Sequence, residues 1–359
     1  MNILVINCGS SSIKYKLFDF PSEKLITSGN IERIGTVNST IQNHTEGVTA
    51  IIKELLSEKI INKPEDISAI GHRVVHGGDT FFRPSLIDDK VIKKIEQCCA
   101  FAPLHNPANL AGIKACAENF AKTKQVAVFD TAFHHTIPDY AYMYAIPYSY
   151  YEKCGIRKYG FHGTSHQYVA GKAAEILKKP LDKLKLITCH LGNGCSITAV
   201  KYGHSIDTSM GFTPLEGLMM GTRCGDIDTA AVFHLMHTEN ISSQNMDTIL
   251  NRKSGLLGVS GVSNDMREIL NGIKEGNKRC KLAYDMFVYR IKKYIGSYYL
   301  ILGGADAICL TAGIGENNVD LFDNIKNHVD SVLSKKTKVM MVKTNEELMI
   351  AQLTYNLIK

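Results

Sequence analysis

The chain has 359 residues, 45% of them hydrophobic and 21% charged, with a formal net charge of +6. That length suggests two domains of an ordinary globular protein, and the mild charge, without polybasic or aromatic-basic runs, argues against nucleic acid as a partner. No apolar run approaches ~18 residues and no basic n-region opens the chain, so neither a membrane span nor a signal peptide is expected; ten cysteines without a CxxC pair fit reduced thiols and a cytoplasmic location better than disulfides or zinc.

In chain order, Ile3-Leu4-Val5-Ile6 reads as a buried strand, Cys8-Gly9-Ser10-Ser11-Ser12 as a turn, and the alternation after Ile13 as a returning strand. Residues 45–60 and 88–100 read as amphipathic helices. Residues 125–131 read as a buried strand ending on the carboxylate of Asp130, and the Tyr-dense stretch 140–160 as a packed connector. A helix is expected over 164–178, capped by Thr164 or Ser165. The opening pattern then returns: Leu186-Ile187-Thr188-Cys189, the small-residue turn Gly192-Asn193-Gly194, and a strand through Ile197 and Ala199. A long helix follows over 281–302 and a buried strand over 306–311, leading into Ala312-Gly313-Ile314-Gly315-Glu316-Asn317 and a helix with Leu321, Ile325 and Val329 on one stripe. The last helix opens at Thr344-Asn345-Glu346-Glu347, where Thr344-x-x-Glu347 has the form of a capping box and leaves Glu346 free.

Strands and helices alternate throughout, so the class is α/β. Tight strand turns expose backbone N–H groups and hydroxyls that can hold phosphate, and two copies suggest two similar domains gripping one polyphosphate. Ordinary β-hairpins are the plainer reading of either copy alone. There is no GxxxxGK[ST], and Gly313-Ile314-Gly315 lacks the third glycine of a dinucleotide fingerprint. Three Gly-rich turns remain, near Gly9, Gly192 and Gly313. That plan resembles the actin, sugar-kinase and heat-shock ATPase superfamily, with a ribonuclease H-like fold and a nucleotide cleft between two domains. Their expected extents are 1–145 plus 348–359, closed by the C-terminal helix, and 146–347.

The strings GHRVVHGG (71–78), APLHNPAN (102–109), FDTAFHHTIP (129–138), RKYGFHGTSH (157–166), HLGNGCSI (190–197), MGFTPLEGLMMGTRCGDID (210–228), SGVSNDMRE (260–268), TAGIGEN (311–317) and TNEELMIA (344–351) together resemble the acetate kinase family, in order along the chain. The resemblance implies reversible, direct in-line phosphoryl transfer between ATP and acetate, giving acetyl phosphate and ADP. It implies magnesium, with manganese as a substitute, and a homodimer. Among catalytic residues it implies that Arg223 and His162 stabilise the transition state, while Asp130 orients an arginine or a metal-bound water. Acetate is already ionised at neutral pH, so a general base is not needed. Arg73 is the carboxylate-binding residue, with Val75, Leu104, Phe161 and Pro214 around the methyl group and His105 beside them. Ser10, Ser12, Lys14, His190, Leu191, Gly192, Asn193 and Gly194 fall to the phosphates. Asp265, Met266, Arg267, Gly313, Ile314, Gly315, Glu316 and Asn317 fall to the adenosine side. Asn7 and Glu346 fall to the metal.

Plainer readings stand beside these: a loop-fixing salt bridge for either arginine, a satisfied core residue for an isolated histidine, and helix-dipole complementation for the glutamates. His162 and His166 are spaced i, i+4, but no HExxH glutamate supports zinc. The chain is short against the family pattern after Arg33 and Asn318. It carries Cys8, Cys224 and His135 where Ala, Ser and Gln are usual, which points to thiol sensitivity near two site turns. A propionate or other short-chain acyl kinase, and a catalytically silent nucleotide-binding relative, are the alternative functions.

Overall fold

The computed structural model describes residues 1–359 apart from Asn38, Leu104, Ser334 and Lys335, so the expectation for Leu104 lies outside the described residues. The chain divides into two compact units, Met1–His135 with Asn345–Lys359, and Thr136–Thr344.

The first unit is built on β1 (Asn2–Gly9), β2 (Ser12–Asp19), β3 (Lys24–Glu32), β4 (Ile67–Val74), β5 (Ser85–Leu86) and β6 (Lys124–Phe129), in the order β3-β2-β1-β4-β6-β5. β1 runs antiparallel to β2 and parallel to β4. Its run of four apolar residues is explained by cover on both faces. Leu4 and Ile6 pack with Val48, Ile51 and Leu55 of the helix His44–Ser57, while Ile3 and Val5 pack with Ile350 and Ala351 of the helix Glu346–Ile358. The helix Asn106–Asn119 crosses close to the end of β1, where a Cβ on Gly112 would collide with the Cys8 sulfur.

The second unit repeats the plan with β7 (Lys185–Leu191), β8 (Cys195–Lys201), β9 (His204–Thr208), β10 (Ala307–Thr311) and β11 (Lys338–Met341), ordered β11-β10-β7-β8-β9. In both sheets the first strand is central. Its two successors pair antiparallel on one side, and parallel strands lie on the other, with the two-residue β5 added antiparallel at the edge of the first sheet. The two turns seen as a repeat in the sequence are thus the same structural position, Gly9 facing Ser12 and Leu191 facing Cys195. The α/β class read from the sequence is the class of the fold. The stripe Leu321, Ile325 and Val329 is the buried face of the helix Val319–Val332.

Two helix starts differ from expectation. The helix Gly163–Leu177 begins after His162, whose backbone is left-handed (φ 56°, ψ 26°), and neither Thr164 nor Ser165 caps it. Thr164 and Ser165 lie inside the first turn, past the N-cap position, and Ser165 turns instead to His190, 2.8 Å from its Nδ1. The final helix is capped by Asn345, whose Oδ1 accepts from the Leu348 N–H at 3.1 Å, so Thr344 and Glu347 form no capping box. The Thr344 N–H donates to Glu316 at 2.9 Å, and Glu347 accepts from Lys16 Nζ at 2.9 Å.

Candidate active site

Arg73 lies near the end of β4 and Asp130 immediately after β6. The parallel register pairs Arg73 with Val128 and Val74 with Phe129, and the Asp130 N–H continues it by donating to the Val74 carbonyl at 2.9 Å. The arginine therefore meets the carboxylate squarely: Nη2 donates to Oδ2 at 2.7 Å and Nε to Oδ1 at 3.1 Å. Glu346, at the start of the last helix, approaches the same guanidinium at 3.9 Å. Burial opposes the charge on Arg73, but Asp130 and Glu346 outweigh it and hold the group well above its ordinary range. Burial pushes the Glu346 carboxyl up to about 7, with Asp130 and Glu347 adding and Arg73 and Lys14 opposing. Two carboxylates around one cation leave room for further positive charge, which suits a hard divalent ion held through one carboxylate and waters.

Asn7 is half-buried on β1, Lys14 is exposed on β2, and Ser10 is exposed at the turn between them. Val75 follows Arg73 by two residues and is buried, its N–H donating to Asn109 Oδ1 at 3.1 Å. Asn109 Nδ2 also donates to the Cys8 carbonyl at 2.8 Å, tying the end of β1 to the end of β4. The sequence reading passed over Asn109 because a polar residue inside an apolar helix pattern carries no chemical signature of its own. His105 precedes the helix Asn106–Asn119.

In the second unit, the His162 ring stacks on His190, centroids 4.1 Å apart. Nδ1 of His162 lies 2.9 Å from the Ser196 hydroxyl, which is also 2.7 Å from His166 Nε2; His166 Nδ1 lies 2.7 Å from the Thr188 hydroxyl. Both rings at the i, i+4 spacing are thus turned onto a serine. No group of three or more His, Cys, Asp or Glu suited to a metal occurs among the described residues.

Gly194 shows how closely the groups converge: a Cβ there would sit 3.3 Å from Arg223 Nη1 and 3.4 Å from His162 Nε2. The Arg223 guanidinium donates to the Pro214 carbonyl at 3.2 Å and approaches the Met220 sulfur at 3.7 Å. Among the described residues no carboxylate pairs with it, and burial pulls its pKa below the ordinary value. A half-buried cation without a carboxylate partner is poised for an anionic ligand. Phe161 is buried beside His162 in sequence, and Leu191 is buried at the end of β7.

A cavity of about 680 Å³ in this unit brings together Gly192, Asn193, Asp265, Met266, Arg267, Gly313, Ile314 and Asn317, residues far apart in sequence. Asn264, Leu270 and Asn318 line it as well. Asn264 donates to Asn193 Oδ1 at 2.9 Å, and the buried Nδ2 of Asn318 has no hydrogen-bond partner among the described residues. Glu316 serves the turn itself, since its Oε1 accepts from Thr311, from the Ala312 N–H and from the Thr344 N–H at 3.1, 2.8 and 2.9 Å. Arg267 is exposed and folds back onto Asp265 at 2.5 Å. The thiol expectation changes here: burial pushes Cys8 up to about 12 and raises Cys224, so neither is an activated thiol, whereas Cys154 is exposed.

The acetokinase family profile matches residues 2–333. The chain is 50% identical to the acetate kinase of Thermoanaerobacter pseudethanolicus, across 100% of this chain and 99% of that one. The alignment spans 398 positions against 359 residues here, so the relative carries residues that this chain lacks. The crystal structure of Porphyromonas gingivalis acetate kinase superposes with a TM-score of 0.95 at 42% identity, covering 100% of both chains. That of a propionate kinase from Francisella tularensis superposes with a TM-score of 0.93 at 43% identity, covering 99% of both.

Proposed function

The chain belongs to the acetokinase family, and from that premise we propose how its residues divide the reaction between them. It is an acetate kinase, a phosphotransferase with a carboxylate acceptor, on the actin-like ATPase fold. An acetate oxygen attacks the γ-phosphorus of ATP, and the bond to the β,γ-bridging oxygen breaks. ADP leaves with that electron pair. The acceptor arrives ionised, so positioning and charge stabilisation carry the catalysis.

Arg73 holds the acetate carboxylate, and Asp130 fixes the arginine. The observation that carries the reading is the half-buried, carboxylate-free guanidinium of Arg223 beside His162. The two supply donors to the equatorial oxygens of the phosphoryl group as charge spreads over them. The cavity at Asp265–Arg267 and Gly313–Asn317 receives the adenosine, and the turns at Ser10–Lys14 and His190–Gly194 receive the phosphates. Asn7 and Glu346 hold magnesium, which supplies positive charge to the phosphate oxygens when bound.

The helix Thr229–Thr238 has no buried residue although it is largely apolar, and Phe233 and Leu235 stand exposed on it; Tyr289 and Leu300 are exposed on the helix Lys278–Leu302. This apolar surface supports a homodimer. All ten cysteines are free and no described helix is long and apolar enough to cross a membrane, features that suit a cytoplasmic enzyme.

Hydroxylamine trapping of acyl phosphate, run with acetate, propionate and butyrate, tests the assignment. Hydroxamate from acetate is expected. Folded protein that binds ATP but yields none would turn the reading to a silent relative, and preferential yield from propionate would turn it to a propionate kinase.

A further inference from the structure

The hydroxyl of Ser196 stands between two imidazoles, 2.9 Å from His162 Nδ1 and 2.7 Å from His166 Nε2, and these are its side-chain hydrogen bonds. The residue lies on β8 opposite His190 and is completely buried, as are His166 and Thr188.

A serine hydroxyl has one hydrogen. If it donates to His162 Nδ1, the hydrogen between Ser196 and His166 must come from His166 Nε2. His166 Nδ1 is then an acceptor, and the Thr188 hydroxyl 2.7 Å away must donate to it. His162 in that state carries its proton on Nε2, the nitrogen beside Gly194 and Arg223 Nη1. In the opposite state Ser196 donates to His166, His162 carries its proton on Nδ1, and Nε2 offers a lone pair, which repels an anionic oxygen. One rotor thus sets the tautomers of two histidines together.

We propose that Ser196 is a positioning residue that commits His162 to the Nε2–H form, with His166 and Thr188 completing the chain of donors behind it. The inference rests on the reading of His162 as a donor to the transferring phosphoryl group. It adds the residues that decide whether His162 has a hydrogen to give. An anion beside Nε2 favours this state, because the proton displaced from Nδ1 is replaced there by the hydrogen of Ser196.

The test is a double-mutant cycle with a tautomer measurement. Ser196→Ala should lower kcat roughly tenfold, the size of one lost hydrogen bond to a transition-state donor, with the KM for acetate nearly unchanged. Ser196→Thr, which keeps the hydroxyl, should recover most of the loss. In a His162→Ala background, Ser196→Ala should cost nothing further, since the serine acts through that ring. Imidazole nitrogen NMR of the wild type saturated with ADP should show His162 protonated on Nε2, with Nδ1 accepting a bond that Ser196→Ala removes. An equal loss of kcat in both backgrounds, or His162 protonated on Nδ1, overturns the proposal. If His162→Ala itself leaves kcat intact, it is the donor role of His162 that fails, and the NMR result still decides the tautomer.

Discussion

Arg73 on β4 and Asp130, just past the end of the neighbouring parallel strand β6, face one another, joined by Nη2–Oδ2 at 2.7 Å and Nε–Oδ1 at 3.1 Å. Both carboxylate oxygens are occupied by the arginine, so Asp130 is placed to hold and not to take a proton. Asp130→Asn should therefore lower kcat/KM for acetate by about 10²-fold, the usual consequence of misplacing a substrate-positioning group. The variant's pH–rate profile should keep the wild-type shape. Disappearance of an acidic limb in the variant would restore Asp130 as a general base.

Arg223 and His162 are expected to act on the transition state. Arg223→Ala and His162→Ala should each reduce kcat by roughly 10²–10³-fold while shifting the KM for acetate far less. Steady-state kinetics separate the possibilities: a change confined to KM would move either residue to ground-state binding.

Much of this was legible in the sequence because the repeat is itself structural. The apolar run at Ile3–Ile6 and its echo at Leu186–Cys189 are the central strands of two sheets that share one order apart from the short edge strand β5. Arg73, His162 and Arg223 were singled out by the strings around them, and their roles remain proposals. The helix caps were not. Thr344-x-x-Glu347 satisfies the capping pattern, yet the helix starts one residue later, and Thr344 and Glu347 are drawn to Glu316 and Lys16 by tertiary contacts. Ser196 was silent for another reason: a serine in a buried strand looks like filler until the two imidazoles that converge on it are located in space.

The thiols give a clear contrast with their sequence neighbourhoods. Cys8 borders a site turn but is buried with its thiol pushed up to about 12, while Cys154 is exposed at the end of the short helix Ser149–Cys154. Under native conditions a maleimide should label Cys154 first, and Cys154→Ser should abolish the fast phase. Activity should outlast that phase. Rapid inactivation that survives in Cys154→Ser and is blocked by nucleotide would return attention to Cys224.

His72 provides a pH dependence of stability. It is buried on β4 with Nε2 2.7 Å from Gln125 Oε1, and burial lowers its pKa from 6.5 to about 4, the bond to Gln125 opposing. The folded pKa lies below the unfolded one, so the unfolded chain binds the proton first as pH falls. The contribution is complete above pH 6.5 and drains away as pH drops towards 4. Between neutral pH and the lower end of that window the loss should be about 2–3 kcal/mol. Urea unfolding of wild type and His72→Gln across the window should show the variant's stability falling less by that amount. Parallel curves would mean that His72 titrates normally in the folded state.

The acyl preference should be set in part by Val75. It leaves β4 two residues beyond Arg73, is buried, and has its backbone fixed by Asn109. In extended chain, residues two apart project to the same side, so the valine limits the space beyond a carboxylate held by the arginine. One methylene in an apolar pocket is worth only ~1–3 kcal/mol, so acetate should be preferred over propionate by roughly 10–200-fold, with butyrate poorer still. Val75→Ala should narrow that ratio mainly by raising kcat/KM for propionate, because removing the two methyl groups relieves a clash without adding a contact for acetate. The measurement is kcat/KM for each acid in both proteins. Equal use of acetate and propionate by the wild type, or a ratio unmoved in Val75→Ala, would take Val75 out of the pocket and favour a propionate kinase, the activity named for the Francisella tularensis relative.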